Sequence, residues 1–293
     1  MRFFSIIERA TYRGAIVKGL PKELSNAIEK GAMKAVERLV ESDPSLVDSE
    51  DIRVGKPLHW AAEFKRLEIV RYLLNRGANA DAVNRYGRTS LYNSMRHMHI
   101  DISQLLIMNK ANINHADDYG ETPLNEAVLQ NNLLGVRLLL QHGVVVNAKD
   151  SARGNNTALH LAAEMGDVKM VIELLNAGAN VNEINGIIYS DSLGTYTPLH
   201  NYAILNTGKA RSVLEAQGFR IGELCASEIN GGGNYTPLHL AALRGHKSIY
   251  NLLIKANADP GLKDSCGCTA EDFLKEYEDF SLGVAVGNSL RPN

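Results

Sequence analysis

Lys56-Pro57-Leu58-His59-Trp60-Ala61-Ala62 decides the fold, because altered copies of it return five times down the chain. The copies are Thr89-Ser90-Leu91-Tyr92, Thr122-Pro123-Leu124-Asn125, Thr157-Ala158-Leu159-His160-Leu161-Ala162-Ala163, Thr197-Pro198-Leu199-His200 and Thr236-Pro237-Leu238-His239-Leu240-Ala241-Ala242. Measured from leucine to leucine, the intervals are 33, 33, 35, 40 and 39 residues. A weaker copy, Gly267-Cys268-Thr269-Ala270-Glu271-Asp272, lies 33 residues beyond Leu238, and Leu24 lies 34 residues before Leu58. Each position has a physical task. The threonine hydroxyl caps the orphan N–H groups of a helix start. Proline in the first helical turn gives up an N–H that had no helical partner. Leucine enters the core, and paired alanines let a neighbouring helix come close.

A second helix follows each motif, with apolar residues three and four apart: Ile69, Val70, Leu73 and Leu74 in one copy, Met170, Val171, Leu174 and Leu175 in another. It ends at Gly77, Gly143, Gly178 or Gly218, where the chain needs a left-handed residue. Ala78-Asn79-Ala80-Asp81, Ala111-Asn112-Ile113-Asn114 and Ala179-Asn180-Val181-Asn182 then lead into an extended finger. One unit cannot bury its own apolar stripe, so units must stack.

The recurrence resembles the ankyrin repeat, whose Thr-Pro-Leu-His-x-Ala core and period near 33 it shares over residues 21 to 280. The resemblance implies an all-α repeat solenoid of stacked helix–turn–helix units with hairpin fingers, about eight units with one concave face. We expect an N-terminal extension over 1–20 and a repeat domain over 21–280. That domain divides into a capping pair at 21–50, six repeats over about 51–262 and a degenerate cap over about 263–280. A flexible tail over 281–293 completes the chain. Repeat 2 departs from the pattern at Ser90, Tyr92, Ser94-Met95 and Lys110. Repeat 5 is the most eroded, with Arg211 and Glu215 at positions that are apolar elsewhere. The finger before it carries an insert over 183–194, and the finger before repeat 6 is enlarged through 227–233.

Composition narrows the function classes. Of 293 residues, 45% are hydrophobic and 22% charged, a globular balance. A net charge of -2 argues against electrostatic gripping of nucleic acid. Three cysteines are too few and too odd for a disulfide-stapled secreted fold, so reduced thiols are expected. No apolar run reaches the length of a membrane span. The reading is a monomeric cytoplasmic protein.

No catalytic constellation assembles. His59, His160, His200 and His239 share the motif position, but a repeat or more separates each from the next, too far to share a metal. They are expected to bond backbone in a neighbouring finger. Cys266-Gly267-Cys268 offers two thiolates of the four that zinc takes, and Gly231-Gly232-Gly233 lacks the lysine of a phosphate loop. Asp117-Asp118 is expected at a solvated finger tip. No enzyme, cofactor or metal is therefore expected.

The resemblance implies protein binding through finger tips and first helices. Carried onto this chain, those positions hold Phe64, Arg85, Tyr86, Arg88, Arg96, Tyr119, Glu121, Arg153, Met165, Tyr196, Leu205, Tyr235 and Arg244. Ile187, Ile188 and Tyr189 of the insert have no packing duty in the repeat pattern, so they either form a contact patch for the partner or fold back over the core of repeat 5. Tyrosine and arginine bring contact area with a polar handle. The expected function is a non-catalytic interaction scaffold or adaptor with a protein partner. The alternative is an inhibitor that occludes an enzyme or transcription factor. Glu271, Asp272, Glu276, Glu278 and Asp279 form an acidic cluster similar to the translocation signals of some bacterial effectors, which would place the chain in a host-cell cytoplasm.

Overall fold

The structure, a computed structural model, describes residues 19–51, 55–186, 234–265 and 267–275. Among these residues every named element is a helix, and extended pairing is confined to isolated bridges such as Asp51 with Gly55 and Asp150 with Asn156. The fold is an all-α repeat solenoid, and the chain divides into two compact units, residues 1–118 and 119–293.

The first unit holds α1 (Lys22–Lys30), α2 (Met33–Ser42), α3 (Pro57–Glu63), α4 (Leu67–Asn75), α5 (Ser90–Arg96) and α6 (Ile100–Met108). Asp43 and Pro44 end α2, and a short 3-10 turn follows over Pro44–Asp48. First helices pack in one row, α1 on α3 and α3 on α5, while α2, α4 and α6 form the second row. Leu24, Ile28, Val36, Leu58, Leu73, Leu91, Met95, Ile102 and Leu106 fill the space between the rows and are fully buried. Each such side chain contributes roughly 1.5–3 kcal/mol relative to exposure. Ser94, which replaces an alanine of the motif, donates to Leu91 O at 2.8 Å and shares a 2.8 Å hydrogen bond with Ser103 Oγ. The departure in repeat 2 is thus a buried hydroxyl pair with its hydrogen bonds made.

The second unit holds α7 (Pro123–Leu129), α8 (Leu133–Gln141), α9 (Ala158–Met165), α10 (Val168–Asn176), α11 (Pro237–Leu243) and α12 (Lys247–Lys255), then helical residues over 270–275. The rows repeat: α7 packs on α9 and α9 on α11, with α8, α10 and α12 behind them. Leu124, Leu139, Leu159, Met170, Val171, Leu174, Leu238, Ile249 and Leu253 form its core.

The local signals act as their chemistry requires. Thr89, Thr122 and Thr236 cap their helices by accepting the amide of the third following residue at 3.4, 3.2 and 3.4 Å. The second helices end in left-handed residues, Gly77 at φ 86° and Gly143 at φ 76°. Lys110 adopts the same conformation at φ 64°, which costs a residue with a Cβ about 1 kcal/mol.

Two expectations change. Asp117 is buried and ion-paired with Arg88 at 2.9 Å rather than solvated; only Asp118 is exposed. Cys268 is disulfide-bonded, where a reduced thiol was expected, and its partner lies outside the described residues. The N-terminal extension up to residue 18, the fifth motif copy from Thr197 through Gly218, the enlarged finger over 227–233 and the tail over 281–293 also lie outside them.

Candidate protein-binding surface

The surface begins with what the motif removes from it. The imidazoles of His59 and His160 are completely buried, and that of His239 nearly so. Each does two jobs. Its Nδ1 accepts the backbone N–H of the cap residue at 3.2 Å: Lys56, Thr157 and Thr236 in turn. With Nδ1 an acceptor, Nε2 carries the proton and donates to a carbonyl of another finger. His59 reaches Arg88 O at 3.0 Å, His160 reaches Tyr235 O at 2.9 Å and His239 reaches Cys268 O at 3.3 Å. Each acceptor immediately precedes a motif threonine. Burial favours the neutral ring and lowers the pKa of His59 and His160 to about 4, and that of His239 in the same direction. The expectation that these rings bond the backbone of other fingers describes them correctly.

Five residues after the motif histidine the side chains are free to differ. That column reads Phe64, His97, Gln130, Met165 and Arg244, one at the end of each first helix. Met165 is exposed, Phe64 and Arg244 are half-buried, and Arg96 beside His97 is exposed. Phe64 stacks on Trp60 at 5.5 Å between centroids, and Arg244 pairs with Glu164 at 2.6 Å. His97 and His99 stack at 5.7 Å around the exposed Met98.

The finger tips supply a second set. The Arg85 guanidinium lies 4.4 Å over the Tyr86 ring and donates to Tyr86 Oη. Arg88 lies against the same ring at 5.7 Å and against Tyr92 at 4.6 Å. Gly87 permits this tip: at φ 74°, a Cβ there would stand 2.7 Å from Asp118 N. The product is a cationic–aromatic tip whose exposed Arg85 guanidinium suits a carboxylate or carbonyl. Tyr119 is exposed at the tip of the following finger.

Other expected contact residues stand elsewhere. Glu121 is buried and ion-paired with Arg153, so both serve the finger base. Tyr235 is only 7% exposed and packs edge-on against Phe273 at 6.0 Å, which removes it from the surface. Ile187, Ile188, Tyr189, Tyr196 and Leu205 lie outside the described residues. Sequence reading missed Met98, a lone apolar residue in a turn, and the finger-base residues Asn84 and Asn185. Those two occupy one repeat position, so aligning the copies on their fingers would have exposed them. No group of His, Cys, Asp and Glu fit to hold a metal occurs among the described residues. No described helix is long and apolar enough to cross a membrane.

Comparison with known proteins agrees with this geometry. A family model described as ankyrin repeats (3 copies) matches residues 24–117 and 99–185, and one described as ankyrin repeats (many copies) matches 223–273. The ankyrin repeat protein nuc-2 of Neurospora crassa is 28% identical over 242 residues, covering 81% of this chain and 21% of that protein. The nuclear factor NF-kappa-B p105 subunit of Gallus gallus is 32% identical over 165 residues, covering 55% of this chain and 16% of that protein. The chain thus spans about a fifth or less of these two relatives. The solved ankyrin repeat domain of Bcl-3 matches with a TM-score of 0.65 at 23% identity, over 89% of this chain and all of that one.

Proposed function

The chain belongs to the ankyrin repeat family, and on that premise we propose that it is a non-catalytic scaffold or adaptor that holds a partner protein on its finger tips and first-helix ends. One observation carries the reading. The motif leucine is buried and unchanged at Leu58, Leu91, Leu124, Leu159 and Leu238, while the column at Phe64, His97, Gln130, Met165 and Arg244 reaches the surface and changes chemical type every time. Packing dictates the leucine column; the other has no shared packing task, so its variety in each unit suits recognition of irregular protein surfaces. The Arg85–Tyr86 tip, Tyr119 and Met165 are the anchors of this proposal.

The acidic cluster does not strengthen the delivered-effector reading. Asp272 accepts from the Thr269 backbone N–H at 2.8 Å and the Thr269 hydroxyl at 2.7 Å, and Glu271 pairs with Lys275 at 3.0 Å. Those acids cap and brace a helix start; Glu276, Glu278 and Asp279 lie outside the described residues. Residence in the cytoplasm and a monomeric state are part of the same proposal.

The test is quantitative capture with the intact chain and with Arg85→Ala, Tyr86→Ala, Tyr119→Ala and Met165→Ala combined. The variant is expected to keep its melting temperature, because these side chains stand at the surface, and to lose at least about ten-fold in partner recovery, the cost of one or two anchor residues. Equal recovery by both chains would remove this surface from consideration.

A further inference from the structure

The hydrogen bonds that join consecutive repeats in this protein are stereotyped, and the same set joins the repeat of Thr157 to the repeat of Thr236. The finger base shows it first. Asn84 N–H donates to Arg88 O at 3.0 Å, and Arg88 N–H donates back to Asn84 Oδ1 at 3.1 Å. Asp264 and Cys268 make the same reciprocal pair at 2.9 and 2.8 Å. Asn185 and Tyr235 make it again, at 2.9 and 2.8 Å. Three residues lie between the partners in the first two cases and forty-nine in the third.

Three further contacts repeat the pattern. An asparagine or aspartate ladder runs along the turns before the fingers: Asp81 Oδ1 accepts Asn112 N–H at 2.6 Å, Asn147 Oδ1 accepts Asn180 N–H at 2.8 Å and Asn182 Oδ1 accepts Asp259 N–H at 2.8 Å. The residue ten beyond the cap reaches back to a carbonyl at the end of the preceding first helix. Arg66 reaches Glu29 O, His99 reaches Ala62 O at 2.8 Å and His246 reaches Glu164 O at 3.1 Å. A Cβ on Gly166 would stand 2.7 Å from the His246 ring, so the backbone there lies directly against the repeat of Thr236. Finally, the imidazole bridge from His160 ends on Tyr235 O.

We infer that the repeats of Thr157 and Thr236 are consecutive in the stack, and that one finger, closed at its base by Asn185 and Tyr235, carries an insertion of 46 residues. The arithmetic of the period agrees. Leu159 and Leu238 are 79 residues apart; without the excess of 46 the interval becomes 33, equal to those from Leu58 to Leu91 and from Leu91 to Leu124. The order read along the sequence changes accordingly: the repeat of Thr236 is the one that follows the repeat of Thr157. The inference rests on the residues flanking 187–233, not on those within. It makes Met165 and Arg244 members of adjoining repeats despite their distance in sequence.

The chain contains its own competitor for this junction, since Tyr196-Thr197-Pro198-Leu199-His200 is identical to Tyr235-Thr236-Pro237-Leu238-His239. If the Thr197 copy were stacked in turn, position 205 would stand beside position 164, and position 244 about 10 Å further along. Full-length Glu164→Cys/Arg244→Cys and Glu164→Cys/Leu205→Cys chains, treated with a short bismaleimide and mapped by peptide mass, distinguish the two. Arg137→Cys/Glu173→Cys is the control, because Arg137 and Glu173 are ion-paired at 2.6 Å across consecutive repeats. The expected result is linkage of 164 to 244 at the control's yield and at least ten-fold above linkage of 164 to 205. Dominant linkage of 164 to 205, or a 164–244 yield ten-fold below the control, would overturn the inference.

Discussion

The repeat of Thr157 meets one neighbour through an imidazole and the other without one. On one side His160 bonds both Thr157 N–H and Tyr235 O. On the other, the position of the motif histidine is Asn125, 1% exposed, whose Oδ1 and Nδ2 find no partner among the described residues. Both junctions otherwise use the same means: packed first helices, an asparagine ladder and a charged pair, Arg153 with Glu121 or Arg244 with Glu164. The difference is reach. An imidazole spans from its own cap to another finger; a carboxamide is too short, so the Asn125 side retains a desolvated amide that costs about 1–3 kcal/mol.

Acid should abolish the advantage of the histidine side. His59 and His160 titrate at about 4 when folded and near 6.5 when unfolded. Above pH 6.5 neither state is protonated and the full stability is present. As the pH falls from 6.5 to 4, the unfolded chain takes up protons that the native rings refuse, so stability drops through that window by about 3 kcal/mol per imidazole. Urea midpoints measured between pH 7.5 and 5, above the range where most carboxylates titrate, should show the onset; a flat profile would contradict the assignment of neutral rings.

Converting one junction into the other gives smaller effects. His160→Asn should cost about 2 kcal/mol at pH 7.5, from the loss of both imidazole hydrogen bonds, which leaves the Tyr235 carbonyl with the Asn185 N–H, and should flatten part of the slope between pH 6.5 and 5. Asn125→His should add about 1 kcal/mol by joining Thr122 N–H to Asn156 O, seen as a melting temperature higher by a few degrees. A destabilised Asn125→His chain would show that the pocket has closed around the smaller side chain.

The repeats were legible because a motif that recurs in register averages out the noise of any single match. The helix pairs, the caps, the core leucines and the structural histidines all followed from that. The order of the stack was not. Tyr196 to His200 and Tyr235 to His239 are the same five residues, and sequence alone ranks them equally. What separates them is which one Asn185 and His160 bond, a contact across fifty or more positions that leaves no local signature. The surface was half legible for a related reason. Tyr86, Tyr119 and Tyr235 look alike as finger tyrosines, but Tyr235 lies against Phe273 from the closing segment, and only packing reveals that.

In His59, His160 and His239 one ring nitrogen accepts from the cap residue and the other donates to a carbonyl. An electrophile such as an acylating reagent needs an unshared nitrogen pair, and none is available there while the rings stay engaged. These side chains become nucleophiles only when a junction parts, so their labelling rates would count the openings of the stack one seam at a time.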